Sequence, residues 1–349
     1  MPATTDRRAA ARRSLVGRSG CEFEHRADTV RVSPIQLGSA RGGHTLHQPG
    51  DERGHHLPAA DAIQPRRGDA ADPDAPLALF RAIVERQATL IAQWQLAGFI
   101  HGVMNTDNMA LSGETIDYGP CAFMNAYDPA TVFSSIDRGG RYAYSNQPGI
   151  AQWNLTRLAE AMLPLFVPAG ADQARAIELA TDEIHRFAHL YDTHWLAGMR
   201  AKLGLFNEED DDRALVDDLL AWMQRHDADF TNTFRDLSTA YVDDEDEPVD
   251  GPKVPDEEWR LWRDRLEARR GRQPQSPREA EVLMRRHNPA FIPRNHKVEE
   301  ALDAAMGGDF AVMERLLDVL RAPFDYARDL PEYSAPPKDA GGYRTFCGT

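Results

Sequence analysis

From Pro76 to about residue 335 the chain is written almost entirely in helical spacing, and this limits it to a mainly α architecture. The first run, "PLALFRAIVERQATLIAQWQLAGF", places Leu79, Ile83, Ala88, Ile91 and Trp94 on one face, with Gly98 as the stop. A second helix is expected from Ile150 to about Leu165. A long stretch over 172–203 is expected to be helical with a break. Two more helices fill 207–242, and the Asp run there sits where a first turn favours acids. Further helices follow in "EEWRLWRDRLEARRG" and "SPREAEVLMRRHNP", the latter opened by Ser276 as N-cap and Pro277 at N1. A helical hairpin turns at Gly307-Gly308. Strand signal is confined to a short candidate in "ETIDYG". There is no internal repeat.

Residues 1–75 break from this pattern. They are rich in Gly, Arg, His, Asp and Pro and show neither period 2 nor period 3.6. Such a composition buries too little surface to offset chain entropy, so a disordered leader is expected, with His55 and His56 solvated. "DDEDEPVDGPKVPDEE", near 242–257, reads as an acidic linker, and 336–349 as an irregular tail. The expected organisation is therefore a leader over 1–75, a helical body over 76–335 and the tail.

Charge and cysteine content narrow the function. A net charge of −15 argues against a nucleic-acid binder, because a phosphate backbone would repel that field. No apolar run approaches the roughly 18–20 residues that span a bilayer, so no membrane partner is expected. The Arg-rich start has no apolar core of signal-peptide length, and mitochondrial targeting is not supported. Cys21, Cys121 and Cys347 form neither a disulfide framework nor a zinc spacing, so a reducing, cytoplasmic location is expected.

The chemistry-bearing stretch is "FIHGVMNTDNMALSGETIDYGP", Phe99 to Pro120. Asp107 and Asn108 stand side by side, and Asp117 follows nine residues after Asn108. A nucleotide–Mg²⁺ site needs these parts: a carboxylate to orient and deprotonate a hydroxyl, and an Asn oxygen plus a second carboxylate for a hard cation. A loop and the turn after it can deliver all three from one hairpin. Kinase-like proteins use this order, with an early His, a late Asn, a strand and then Asp-x-Gly. Here Val103 replaces the acid that follows His-Gly, and the acid lies beside the Asn. The bland alternative is an Asx-rich turn whose side chains cap backbone N–H groups. A weaker pattern is His185 and His189, four apart on one helical face with Asp182, Asp192 and His194 nearby. It reads either as a metal pair or as a helix surface.

"HGVMNTDNM" and "TIDYGP" resemble the signature of the selenoprotein O family, also called YdiU, kinase-fold protein adenylyltransferases. The likeness continues through "GRYAYSNQP" (140–148), "WNLTRLAEAMLPL" (153–165), "KLGL" (202–205), "DADFTNTFRDLS" (227–238), "RRHNPAFIPRN" (285–295) and "YRTFCGT" (343–349). The resemblance implies the C-terminal lobe of a protein-kinase-like fold, with a short β-hairpin carrying the catalytic loop. It implies ATP bound in a flipped orientation and AMP transferred, with loss of pyrophosphate, to Ser, Thr or Tyr hydroxyls of proteins. Carried onto this chain, Asp107 resembles the proton acceptor. Asn108 and Asp117 resemble the ligands of Mg²⁺, with Mn²⁺ an alternative, and Asp117 also lies against the ATP. The family's redox feature falls in the region of Cys347. Phe133 stands where some members carry a partner cysteine, which argues against an intramolecular redox switch.

The resemblance also implies an N-terminal lobe ahead of the loop, with a nucleotide-contacting Lys, a Glu that pairs with it, and phosphate-holding arginines. The first lysine of this chain is Lys202. The expectation is a chain without that lobe, its first 75 residues read from a shifted frame or an unrelated start, and impaired as an enzyme. Two other readings remain: a non-catalytic, protein-binding remnant whose acidic segments meet basic partners, and a small-molecule kinase.

Overall fold

The hairpin region is framed by helices whose apolar faces follow the expected spacing. The computed structural model describes residues 74–167, 172–239, 256–338 and 342–346. Helix α1 spans Ala75–Ala97 and buries Ile83, Ala88, Ile91 and Trp94. Leu79, expected on the same face, is instead exposed, because the buried stripe runs through Leu77, Phe80 and Val84. Gly98 ends the helix in the left-handed conformation, φ 69°. A Cβ at Gly98 would also stand 2.9 Å from the Phe230 ring, so both backbone and packing require glycine there.

Strand β1, Phe99–Ile100, pairs antiparallel with β2, Ala122–Phe123. The residues between them form the loop, so the β-pair flanks the loop rather than lying inside it. The strand expected within "ETIDYG" is reduced to one bridge, Met109–Thr115. Asp117, at φ 55°, turns the chain out of the extended region.

Helix α2 covers Gln147–Met162 and α3 covers Gln173–Lys202. The break expected in α3 is absent. Its glycine, Gly198, is a packing residue: a Cβ there would fall 2.1 Å from Leu96 of α1. Helices α1, α2 and α3 close one apolar core around Phe80, Ile91, Leu155 and Phe187. A second core gathers Met199, Leu219, Trp222, Phe230, Phe234 and Trp262, drawing on α4 (Asp212–Arg225), α5 (Phe230–Leu237) and α6 (Glu257–Arg270). Helix α7, Pro277–His287, carries a full capping box between Ser276 and Glu279. Helices α8 (Asn295–Met306) and α9 (Ala311–Leu320) form the expected hairpin at Gly307-Gly308, and α10 is the single turn Pro331–Ser334. Burying each large apolar side chain contributes roughly 1.5–3 kcal/mol, so these cores form a stiff platform behind the loop.

The described helices lie in one compact unit, His55–Thr349. No helix among the described residues is long and apolar enough to cross a membrane. Nearly all of the leader, nearly all of the acidic linker, and Cys347 lie outside the described residues.

Candidate active site

The loop begins at His101, whose side chain is fully buried. Its Nε2 lies 2.8 Å from the Ile116 carbonyl, and its Nδ1 accepts from the Val103 N–H at 3.4 Å. That pattern puts the proton on Nε2 of a neutral ring. Burial against Trp94 lowers the His101 pKa; the Ile116 carbonyl and the Asp117 charge oppose the shift only in part. His101 thus ties the start of the loop to the residue just before Asp117.

Gly102 explains the pairing of His with Gly. It has φ 87°, and a Cβ would sit 2.5 Å from the Pro120 carbonyl oxygen. Only glycine lets the loop and the Asp-Tyr-Gly-Pro turn come this close.

Three side chains from beyond the loop then fix it. Gln147 accepts from the His101 N–H and donates to the Phe99 carbonyl, both at 2.9 Å. Asn154 donates to the Met104 carbonyl at 3.0 Å, and the Tyr142 hydroxyl donates to Asn105 Oδ1 at 2.6 Å. Each such bond contributes on the order of 1 kcal/mol net. Gln147, Tyr142 and Asn154 fall within motifs quoted above, yet their roles were not legible there. The only available signal was polar residues standing at buried positions.

On this frame Thr106–Asn108 forms one 3₁₀ turn. Asn108 Nδ2 donates to the Val103 carbonyl at 3.0 Å and to Asp117 Oδ2 at 2.8 Å. The structure therefore brings Asn108 and Asp117 together. Asp107, on the same turn, is exposed. Among the described residues no hydrogen bond occupies Asn108 Oδ1, Asp117 Oδ1 or either Asp107 oxygen. With its nitrogen engaged, the Asn108 amide is left with an oxygen to offer, next to a free carboxylate oxygen. This donor set fits a hard divalent cation.

Other candidates fall elsewhere. His185 and His189 are both exposed on α3, and Asp192 is engaged by Arg213. A second cluster joins His226, at the end of α4, with Asp256 and Glu258 at the start of α6, where Asp256 caps the helix and Arg225 holds Glu258. Cys121 follows the turn and is half-buried; burial pushes its thiol pKa up to about 11. Phe133 is buried against the ring of Tyr343, 5.8 Å between centroids.

The family model described as "Protein adenylyltransferase SelO" matches residues 59–321. The chain belongs to the SelO family. The "Protein nucleotidyltransferase YdiU" of Alkaliphilus metalliredigens is 55% identical over 276 residues, covering 78% of this chain and 54% of the relative. The protein of the same name from Halalkalibacterium halodurans is 56% identical over 275 residues, again 78% of this chain and 54% of the relative. That of Bacillus thuringiensis is 46% identical over 326 residues, 92% of this chain and 63% of the relative. The chain thus spans about half the length of the SelO-family relatives it matches at the higher identities. The family match opens at residue 59, ahead of the helix that starts at Ala75.

Proposed function

We propose that this chain carries the catalytic hairpin of a protein adenylyltransferase, which moves AMP from ATP to Ser, Thr or Tyr hydroxyls of proteins. The observation that carries this reading is the Asn108–Asp117 bond of 2.8 Å, which leaves one oxygen of each side chain without a hydrogen bond among the described residues, next to the exposed Asp107. Asn108 and Asp117 would hold Mg²⁺, or Mn²⁺ in its place. That cation, when bound, neutralises charge on the phosphates. Asp107 accepts the proton of the acceptor hydroxyl. The hydroxyl oxygen bonds to the α-phosphorus of ATP, and the bond from that phosphorus to its bridging oxygen breaks. Pyrophosphate leaves.

In this reading 76–335 serves as the helical C-lobe of a kinase-like fold, with the acidic linker near 242–257, the tail over 336–349 and the leader over 1–75. Lys202, the first lysine of the sequence, is buried over the rings of Phe230 and Phe234. A second reading is a non-catalytic module that binds proteins.

Labelled ATP separates the two. Transfer of the adenylyl group to protein that disappears in Asp117→Ala and Asp107→Ala supports the enzyme. Labelling absent from the native chain, with protein capture unaffected by Asp107→Ala, supports the binding module. Transfer of the γ-phosphate instead would mark a kinase.

A further inference from the structure

The turn that carries Asp117 is held from two sides. On one side Gly102 lies against the Pro120 carbonyl, as described above. On the other, the Thr345 Oγ1 donates to that same oxygen at 2.6 Å, across 225 residues of sequence. Thr345 is 6% exposed. Its backbone N–H donates to the Phe133 carbonyl and its carbonyl accepts from the Ser135 N–H, both at 2.9 Å, making a parallel bridge with Ser134. Two residues earlier, Tyr343 packs on Phe133 and donates its hydroxyl to Glu299 of α8 at 2.8 Å. The tail segment is therefore anchored to the body independently of the turn. Among the described tail residues, the Thr345 hydroxyl is the group that hydrogen-bonds Pro120.

Asp117 needs such support. A non-glycine residue at φ 55° costs on the order of 1–3 kcal/mol and persists only where its surroundings over-determine it. His101 fixes the carbonyl before it, Asn108 fixes its carboxylate, and the turn after it is closed by the Cys121 N–H on the Tyr118 carbonyl at 3.3 Å. That last bond is long. The stronger hold on this end is the Thr345 hydroxyl.

We propose that Thr345 is a positioning residue for the hairpin, setting the Asp117 carboxylate beside Asn108 by holding the Pro120 carbonyl. This rests on the reading of Asn108 and Asp117 as a cation-binding pair. A side-chain hydroxyl from the tail thereby supports the turn that carries Asp117, one step further out than the contacts that orient a ligand directly.

The test compares Thr345→Val, which keeps the shape and removes the hydroxyl, with Thr345→Ser, which keeps the hydroxyl. Both are made in the full chain. Amide hydrogen exchange is followed across 117–121, and free Mn²⁺ is titrated by electron paramagnetic resonance. In Thr345→Val, exchange across 117–121 rises roughly three- to tenfold and Mn²⁺ affinity falls by a similar factor, the range expected from one lost buried bond. Thr345→Ser restores both to within about twofold. Exchange and affinity both unchanged in Thr345→Val would overturn the proposal. So would faster exchange with Mn²⁺ affinity intact, because Thr345 would then serve the fold alone. The cation reading fails separately, if Asp117→Ala binds Mn²⁺ as the native chain does. In that event exchange across 117–121 in Thr345→Val still decides whether Thr345 holds the turn.

Discussion

The Asn108 side-chain nitrogen donates to the Asp117 carboxylate at 2.8 Å, so a residue of the loop and a residue of the turn share one polar contact nine positions apart. The contact fixes the orientation of the Asn108 amide. Its nitrogen faces Asp117 and Val103, and its oxygen takes no hydrogen bond among the described residues.

Breaking that pair should be read first in cation binding. Asp117→Ala removes one proposed ligand, and Asn108→Ala removes the other proposed ligand together with the contact. Each is expected to lower Mn²⁺ affinity by at least about tenfold in a paramagnetic titration. Affinity unchanged in both would remove the hairpin as the cation site.

Gly102→Ala is expected to cost about 2 kcal/mol or more in a urea unfolding series, since the new Cβ meets the Pro120 oxygen at 2.5 Å on a backbone of φ 87°. Gly149→Ala, in α2 with nothing within 4 Å of its Cβ, is the control and should be neutral or mildly stabilising. Equal midpoints for the two variants would contradict the close approach.

Stability should fall as pH is lowered through the histidine range. The folded His101 pKa lies below its ordinary value of 6.5, so the unfolded chain takes up that proton first. The stabilisation is present above 6.5 and is lost as pH falls below it; His296, also lowered mainly by burial, adds to the same slope. In His101→Asn the slope of unfolding free energy between about pH 7 and pH 5 should be shallower than in the native chain. An identical slope would mean that His101 does not stay neutral in the fold.

Lys202 gives the complementary prediction at high pH. Burial lowers its pKa from 10.5 to about 7. Between those values the unfolded chain holds more protons, so stability should rise with pH from about 7 to 10.5. Lys202→Met should be at least as stable as the native chain at neutral pH and should flatten that rise. A clear loss of stability at pH 7 would show that the contacts of the ammonium with Phe230 and Phe234 outweigh its desolvation.

The sequence made some of this legible and hid the rest. Helix α1 with its Gly98 stop, the Ser276–Glu279 capping box and the hairpin at Gly307-Gly308 follow from local chemistry, so a window of a few residues reveals them. Asp107, Asn108 and Asp117 stood out for the same reason. The structure shows the last two in contact and Asp107 on the adjoining turn. What failed was non-local. The break expected within 172–203 is absent, and Gly198 there packs against Leu96. Gln147, Asn154 and Thr345 hold the hairpin across 46, 50 and 225 residues, and no periodicity records such partners.

Those three distances also bear on when the hairpin takes shape as the chain folds. Closing a long loop costs chain entropy before any contact repays it, so local helices form early and distant pairings late. The turn at Pro120 is complete only with Thr345 in place, and the start of the loop only with α2. A chain that has lost the 225-residue contact can keep its helical core and still lack a fully held hairpin. The site is complete only when remote parts of the chain have found one another.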